Sequence, residues 1–312
     1  MDKKFSGVSQ TMSRFRGWIQ AGATLLTNLH LSNFLKGGLY QGAGKTVCVP
    51  GLNCYSCPAA SGACPIGAFQ AVVGSSKFSF SYYITGFLIL LGVLLGRFIC
   101  GFLCPFGWFQ ELLHKIPTKK LSTKRLKPLT YLKYAVLLVM VFLLPAFLVN
   151  DVGMGDPFFC KYLCPQGVLE GAIPLSLANS GIRAALGKLF TWKFSILLSV
   201  IALSVLFYRP FCKWLCPLGA FYALFNRVSL FQMKVDKNKC VSCGKCARAC
   251  KMDVDVTKTP NHTECIRCGM CIRACPTNAV CFRYGFGDGK DKAKAAETLQ
   301  TNNNNRNNNR EE

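Results

Sequence analysis

The sequence predicts an α-helical membrane protein whose last part is a small α+β domain. Three observations predict this class. Long apolar runs occupy the first two thirds of the chain, a dense pattern of cysteines lies near the C-terminus, and a short cysteine–proline motif recurs four times beside the apolar runs. Hydrophobic residues make up 51% of the chain and the mean hydropathy is +0.28. We therefore expect a membrane part and a separate metal-binding part.

The apolar runs predict four transmembrane helices, which form two parallel pseudo-repeats of two helices each. The predicted spans are Phe15–Leu35, Phe78–Ile99, Tyr131–Val149 and Leu189–Tyr208. The loop 115–133 contains seven Lys/Arg residues, whereas the longer segments 36–77 and 150–188 contain three each. The positive-inside rule then places both termini in the cytoplasm and makes this a multi-pass protein of the cell membrane.

Eight of the 19 cysteines form the pattern C-x2-C-x2-C-x3-C twice in succession. This spacing is typical of a bacterial ferredoxin that holds two [4Fe–4S] clusters, where the fourth cysteine of each run ligates the other run's cluster. The expected ligands of one cluster are Cys240, Cys243, Cys246 and Cys275, and those of the other are Cys265, Cys268, Cys271 and Cys250. Such clusters pass single electrons.

The recurring motif in the membrane part is C-P-x-G, beginning at Cys64, Cys104, Cys164 and Cys216. Proline suits the first turn of a helix because no amide donor is needed there, so the cysteine before it is expected at the N-cap. The positive end of the helix dipole would favour a thiolate at that point. Three copies have a second cysteine four residues earlier, namely Cys100, Cys160 and Cys212.

Topology sorts these cysteines into two further sets. The inner set, at the cytoplasmic side, contains Cys100, Cys104, Cys212 and Cys216. The outer set contains Cys64, Cys160 and Cys164, with Cys57 favoured as the fourth ligand and Cys54 as the alternative. Ordinary buried thiols and zinc are the competing interpretations, but the paired C-x3-C-P spacing favours two more [4Fe–4S] clusters.

Two arginines precede the inner cysteines by the same offset. Arg97 and Arg209 each stand three residues before the first cysteine of their copy. They are either interfacial anchors that snorkel to lipid headgroups or positive charges that tune the inner cluster, and the sequence leaves both open.

The expected domains are a membrane domain over residues 1–230, a ferredoxin domain of βαβ type over 231–285, and a disordered Asn-rich tail over 286–312. The ferredoxin segment Lys234–Arg283 has ten Lys/Arg against four Asp/Glu. This balance predicts an acidic soluble partner such as a ferredoxin or flavodoxin, or docking on anionic lipid. The net charge of +23 fits cytoplasmic loops facing an anionic leaflet, and no basic stripe with interleaved aromatics indicates nucleic-acid binding.

Taken together, the paired C-x3-C-P motifs and the dicluster segment resemble the NapH-type membrane polyferredoxins over residues 78–285. Nitrous-oxide-reductase regulators and cytochrome-oxidase assembly ferredoxins are looser relatives. The resemblance implies a quinol dehydrogenase membrane component that hands electrons to partner redox subunits. The sequence departs from the family in its outer cysteines and in Lys251, which replaces the proline that usually follows the fourth ferredoxin cysteine.

The residues predict an electron-transfer protein. It would be a subunit of an oxidoreductase system rather than a stand-alone enzyme. It would move electrons between a cytoplasmic donor and an acceptor at or beyond the membrane. The alternatives are a quinol-oxidising subunit of a respiratory reductase and an electron donor for extracytoplasmic thiol or metal maturation. Clusters at opposite interfaces would lie about 30 Å apart. That gap would need a quinone, another cofactor or deeply re-entrant C-P helices.

Overall fold

The computed structural model describes residues 3–75, 82–150 and 154–285, so the predicted tail over 286–312 lies outside the described residues. Short helices dominate the chain and a two-stranded sheet lies near its end. In chain order the elements are α1 Lys3–Arg14, α2 Arg16–Thr27, α3 Asn33–Lys36, α4 Pro65–Gly74, α5 Tyr82–Leu95, α6 Phe98–Phe102, α7 Pro105–His114, α8 Leu132–Val136, α9 Leu144–Phe147, α10 Ile173–Ala178, α11 Ser180–Ala184, α12 Lys188–Leu206, α13 Pro210–Trp214, α14 Pro217–Phe225, β1 Phe231–Val235, α15 Lys245–Ala249, α16 Met270–Ala274 and β2 Val280–Tyr284.

Several of these helices continue through turns of other helical types. Wider π-helical turns cover Leu137–Leu143, Phe159–Leu163 and Gly167–Ala172, and 3₁₀ turns cover Ala43–Thr46 and Lys124–Tyr131. As a result Leu126–Phe147 and Gly167–Ala178 each run as one continuous helix.

Two helices in the described part of the chain are long and apolar enough to cross a membrane. They are Leu126–Phe147, with 22 residues, and Lys188–Leu206, with 19 residues. At 1.5 Å per residue they reach about 33 Å and about 29 Å, close to the thickness of the hydrocarbon core. Only 28% and 17% of their apolar windows are buried. Most of each window is therefore exposed, and the outward faces of these helices present apolar side chains to the surroundings.

These two helices coincide with the predicted spans Tyr131–Val149 and Leu189–Tyr208, whereas the other two predicted spans are not continuous helices of that length. Helix α5 has 14 residues and ends where Gly96 adopts φ +55°, and residues 78–81 of that span lie outside the described residues. The prediction for Phe15–Leu35 is wrong as one helix, because α2 ends at Thr27. There the Asn28 amide donates back to the Thr24 carbonyl and the His30 N–H donates to the Ala59 carbonyl, which turns the chain.

The C-P-x-G copies begin helices as predicted. Pro65, Pro105 and Pro217 are the first residues of α4, α7 and α14, and Cys64, Cys104 and Cys216 are their N-caps in extended backbone conformation. The third copy, Cys164-Pro165, precedes the helix Gly167–Ala178, and Cys164 has the same extended conformation. All four cysteines thus stand at the positive end of a helix, as the proline's fixed φ requires.

The C-terminal unit is built from two copies of one local pattern. The eight cysteines, the helices α15 and α16, and the left-handed residues Ser242 and Arg267 all recur 25 residues apart. Strands β1 and β2 pair antiparallel, with Phe231 opposite Tyr284 and Val235 opposite Val280. The unit therefore has the order β-α-α-β, not the expected βαβ, because each of the two local repeats contributes one helix and the strands lie at the outer ends of the pair.

This unit packs directly on the membrane part. The Arg267 guanidinium donates from Nη1 to the Leu95 carbonyl at 2.8 Å and from Nη2 to the Asn226 carbonyl at 2.6 Å. Phe102 of α6 shares one hydrophobic cluster with Met233 and Phe282 of the sheet. The loop around Arg267 is therefore held against the ends of α5 and α14.

Candidate functional site

The eight cysteines of the C-terminal unit line two separate cavities. One cavity is lined by Cys240, Cys243, Cys246 and Cys275 together with backbone of the Ser242–Gly244 turn. The other is lined by Cys250, Cys265, Cys268 and Cys271. The fourth cysteine of each run thus lies with the first three of the other run, which is the grouping expected from the spacing.

Backbone and hydroxyl donors surround these sulfurs. Burial opposes the thiolate of Cys275, but Thr277 and the N–H of Ala279, at 3.3 Å, interact with its sulfur and lower its pKa. Burial raises the pKa of Cys265 to about 12. A thiol with such a pKa is protonated at neutral pH, so metal binding there would release a proton.

The structure brings the four cysteines of the inner set close to one another. Cys100, Cys104, Cys212 and Cys216 are all buried, and each interacts electrostatically with other members of the set. Gly219 donates its backbone N–H to the Cys216 sulfur at 3.4 Å, and Gln110 Nε2 donates to the Cys212 sulfur at 3.1 Å. The set comes from the second and fourth copies of the motif.

The fourth copy of C-P-x-G has a capping contact to its own sulfur. Gly219, the third residue of α14, donates its backbone N–H to the sulfur of Cys216 at 3.4 Å, whereas Cys64 and Cys104 make no side-chain capping hydrogen bond. The contact at Cys216 is the N-cap to N3 hydrogen bond with sulfur in place of oxygen. Such a donor stabilises a thiolate that carries negative charge.

Arg97 and Arg209 are fully buried, with 0% exposure, so the snorkelling interpretation is wrong for both. Arg97 forms an ion pair with Glu264 at 3.0 Å, and Arg209 pairs with Glu111 at 2.9 Å. The Nη2 atom of each arginine has no hydrogen-bond partner among the described residues. Both guanidiniums also interact electrostatically with inner cysteines, Arg97 with Cys100 and Arg209 with Cys104 and Cys212. Buried, unpartnered donors beside four thiols fit an anionic cluster.

Cys54 lies nearer than Cys57 to the other outer cysteines in the contacts that the structure shows. Cys160 and Cys164 both interact electrostatically with Cys54 and Cys64, and the Cys54 sulfur lies 3.8 Å from the Cβ position of Gly167, three residues after Cys164. Cys57 is 1% exposed and its sulfur lies 3.6 Å from the Asn28 Oδ1. The structure thus favours the alternative, Cys54, as the fourth member of the outer set.

Gln110 at the inner set and Gln70 at the outer set make the same two kinds of hydrogen bond. Gln110 accepts the N–H of Phe211, the residue before Cys212, at 3.2 Å, in addition to its bond to the Cys212 sulfur. Gln70 accepts the N–H of Phe159 at 2.9 Å and donates to the Cys160 sulfur at 3.3 Å. The first copy therefore pairs with the third, and the second with the fourth, in one arrangement used twice.

The inner and outer sets are joined by a segment that the sequence did not indicate. A Cβ on Gly51 would lie 2.8 Å from the Cys104 Cα, and the Val49 N–H donates at 3.0 Å to the carbonyl of Ala63, the residue before Cys64. Tyr222 is buried beside this segment and its hydroxyl donates to the Pro50 carbonyl at 3.0 Å. Pro50-Gly51 signals a turn in the sequence, but no local pattern shows what that turn contacts.

A basic cavity of about 190 Å³ lies beside Cys268, between α1, α2, α7 and α16. Arg14, Arg16, Lys115 and Arg273 line it, with Glu111 as its acidic residue. The Gln20 side chain also faces this cavity, and its Nε2 has no hydrogen-bond partner among the described residues. The cavity therefore offers hydrogen-bond donors and positive charge next to a cysteine of the C-terminal unit.

The described residues contain no group of side chains arranged to hold a single metal ion. No three His, Cys, Asp or Glu side chains in residues 3–75, 82–150 and 154–285 are grouped so as to hold one metal ion. A [4Fe–4S] cube differs because four thiolates surround it, each bound to a different iron. Sets of four cysteines spread around one space suit that geometry.

Comparison with known proteins places these motifs in a family. The 4Fe-4S binding domain family matches four segments, 62–82, 79–124, 133–173 and 190–238, and the 4Fe-4S dicluster domain family matches 232–276. An uncharacterized protein of Methanocaldococcus jannaschii is 32% identical over 64% of this chain and 77% of its own length. The ferredoxin-type protein NapH of Haemophilus influenzae is 26% identical over 35% of this chain and 52% of its own length. The chain belongs to the NapH-type family of 4Fe–4S ferredoxin-type proteins.

A further relative comes from Escherichia coli. The putative electron transport protein YccM is 26% identical over 54% of this chain and 45% of its own length. The chain thus spans about half the length of YccM and of the NapH protein. No solved structure matches the chain.

The family segments coincide with the structural repeat of this NapH-type protein. Each of the four matched segments contains one C-P-x-G copy, beginning with Cys64, Cys104, Cys164 and Cys216 in turn. The repeat recognised in the sequence is therefore a repeat of the family's own 4Fe–4S binding segment.

Proposed function

We propose that this NapH-type protein carries electrons between a cytoplasmic donor and an acceptor at or beyond the outer face of the membrane. When bound, [4Fe–4S] clusters supply one-electron transfer. The observation that carries the proposal is the direct packing of the C-terminal unit on the inner set. A Cβ on Gly101, next to Cys100, would overlap the carbonyl oxygen of Ile266, which lies between Cys265 and Cys268. No lipid or solvent layer separates these two sets.

Four sets of four cysteines would hold the clusters. The two C-terminal sets are those around the two cavities, the inner set is Cys100, Cys104, Cys212 and Cys216, and the outer set is Cys54, Cys64, Cys160 and Cys164. The Gly219 N–H, Gln70, Gln110 and the two buried arginines would stabilise the negative charge of the membrane clusters.

The membrane placement rests on the two long helices and on further exposed apolar side chains. Trp18, Leu25 and Leu26 are exposed on α2, and Tyr82, Tyr83 and Leu90 are exposed on α5. Such apolar surface on short helices would be covered by lipid if these helices line the bundle. Both termini and the ferredoxin unit would then lie in the cytoplasm.

Electrons would enter beside Cys268. The cavity there is basic, and the C-terminal unit has an excess of Lys/Arg over Asp/Glu, so an acidic carrier such as a ferredoxin or flavodoxin is the expected partner. Such a partner would bind more weakly as the ionic strength rises.

A second candidate is a quinol-oxidising subunit of a respiratory reductase, and the same cavity favours it. Gln20 and Trp108 line the cavity, which lies between α2 and α7 beside Cys268. An unpartnered amide donor and an aromatic ring could hold a quinone ring there. By contrast, Cys57 is buried, so the Cys54–Cys57 pair offers little support for the third alternative, an outward-facing dithiol for thiol or metal maturation.

Proteoliposomes distinguish the two candidates. The full chain is inserted into quinone-free vesicles that contain a trapped one-electron acceptor, and reduced flavodoxin is added outside. We expect reduction of the trapped acceptor without quinone, and loss of it in Cys212→Ser. A strict requirement for added quinone would instead establish the second candidate.

The fourth outer ligand can be tested with a matched pair of variants in the same assay. Cys54→Ser should lose the outer cluster and transfer to the trapped acceptor, whereas Cys57→Ser should retain both, because its sulfur faces Asn28. The reverse result would restore Cys57 as the ligand.

A further inference from the structure

The inner and outer cysteine sets lie next to each other, although topology places them at opposite faces. Gly51 lies against Cys104 of the inner set, because a Cβ on Gly51 would lie 2.8 Å from the Cys104 Cα. Two residues earlier, Val49 donates its N–H at 3.0 Å to the carbonyl of Ala63, the residue before Cys64 of the outer set. These two contacts and two residues of backbone place the Cα atoms of Cys104 and Cys64 no more than about 19 Å apart. The expected gap was about 30 Å of hydrocarbon.

The segment that makes this approach is fixed at both ends. Before it, the Val49 N–H donates to the Ala63 carbonyl at 3.0 Å and the Ala63 N–H donates to the Val47 carbonyl at 2.9 Å. After it, the fully buried Asn53 amide donates to the Thr27 carbonyl at 3.2 Å. The early end of α2 at Thr27 thus provides the acceptor that holds Asn53 in place.

Gly51 and Tyr222 fit the segment against the inner set. A Cβ on Gly51 would lie 2.8 Å from the Cys104 Cα, which is closer than two carbon atoms that are not bonded to each other can approach. Tyr222 donates to the Pro50 carbonyl and interacts electrostatically with Cys100 and Cys104 of the inner set and with Cys64 of the outer set. Tyr222 therefore lies near both sets.

We propose that Pro50–Asn53 and Tyr222 form a strut that holds the inner and outer clusters within direct electron-transfer distance, so that no mobile carrier is needed between them. This inference rests on the proposed function, because it assumes that both sets bind clusters. The transfer moves one electron, so the inner centre is oxidised by one electron and the outer centre is reduced by one. No bond forms or breaks and no proton moves.

The test is the magnetic interaction between the two membrane clusters, measured by EPR on the reduced, full-length protein. Two paramagnetic centres at such a separation split or broaden each other's signals, so we expect this interaction in the wild type. Gly51→Ala should weaken or abolish it, because the new Cβ must displace the segment from Cys104. Gly38→Ala is the matched control, since nothing lies within 4 Å of its Cβ position.

A second variant covers the case in which Gly51→Ala fails to assemble. Tyr222→Phe removes only the hydroxyl that binds the Pro50 carbonyl, and Tyr83→Phe, at an exposed tyrosine, is its control. We expect Tyr222→Phe to keep its iron, to weaken the interaction and to slow reduction of the outer cluster.

The possible results separate this inference from the proposed function. A wild type with about 16 iron atoms but no interaction between membrane clusters would overturn the strut alone. Full interaction in both Gly51→Ala and Tyr222→Phe would also overturn it. A wild type with about 8 iron atoms would overturn the proposed function, and the strut with it.

Discussion

Gln110 and Gln70 each contact the sulfur of one cysteine. Each donates to the sulfur of one cysteine and accepts the N–H of the residue before it. A hydrogen bond to a ligand sulfur stabilises the more negative, reduced cluster and therefore raises its reduction potential. Each glutamine would tune one cluster only.

Gln110→Leu should lower the reduction potential of the inner cluster while leaving the outer one unchanged. Losing one hydrogen bond to a charged group corresponds to about 1–2 kcal/mol, or roughly 40–90 mV for one electron. A redox titration followed by EPR measures this shift. Gln70→Leu is the matched control and should lower the outer potential instead. Equal shifts of both clusters in either variant would contradict the assignment of each glutamine to one set.

Arg209→Gln should lower the inner potential further than Gln110→Leu does, because it removes a buried positive charge beside Cys104 and Cys212. Glu111 would keep Arg16 as a partner, so the loss is not simply an unpaired carboxylate. The same titration measures the effect. An unchanged inner potential with full iron content would show that Arg209 acts through packing alone.

Some of these residue roles could be predicted and others could not. The positions of the cysteine and proline of the C-P-x-G copies follow from helix-capping rules, which are local. The choice of Cys54 over Cys57 is not local, because both belong to one C-x-x-C segment with equal spacing. It depends on Glu170, 116 residues away, which accepts the Cys54 N–H at 3.0 Å and fixes Cys54 on the side of the outer set.

At the scale of elements, the junction between α6 and the Cys265–Cys268 loop would be the step from the ferredoxin unit to the proposed membrane part. Gly101→Ala should slow electron transfer from the C-terminal clusters to the inner cluster, because the added methyl group would overlap the Ile266 carbonyl. Rapid-mixing spectroscopy with a reduced donor measures this step. Gly86→Ala, where nothing lies within 4 Å of the Cβ position, should leave it unchanged. Wild-type kinetics in Gly101→Ala would remove this junction from the route.

Docking of the C-terminal unit depends on Glu264. Burial opposes its ionisation, yet Arg97 and Lys133 beside it outweigh burial and lower its pKa. Glu264→Gln would leave two buried cations short of their counter-charge, and breaking a buried pair typically costs about 3–5 kcal/mol. We expect faster proteolysis and hydrogen exchange around residues 262–268. Asp236→Asn, on the same unit but away from these cations, is the control, and equal effects in both would contradict this role.

Some helices could be predicted from sequence patterns alone and others could not. Long apolar runs predicted Leu126–Phe147 and Lys188–Leu206, and proline predicted the starts of α4, α7 and α14. The helix over Phe15–Leu35 was mispredicted because its end depends on partners far along the chain. Ala59 and Ser61 accept the N–H groups of His30 and Leu29 and so draw the chain away from a helix.

For the whole molecule, the structure arranges the cysteines as a succession of sets. The pair of cavities in the C-terminal unit leads to the inner set through Ile266, and the inner set adjoins the outer set through the segment 49–51. The spacing of the ferredoxin cysteines predicted the first grouping, since cluster ligation leaves a local signature. The approach of segment 50–53 to Cys104 has no such signature, which is why the sequence alone left a gap across the membrane.

The count of iron and acid-labile sulfide in the anaerobically purified, full-length protein tests the central claim most directly. Four clusters predict about 16 iron and 16 sulfide per chain. Cys100→Ser and Cys164→Ser should each lose about 4 of these iron atoms, from the inner and the outer set respectively. About 8 iron per chain in the wild type, unchanged in both variants, would contradict the account, because clusters would then occupy the C-terminal unit alone.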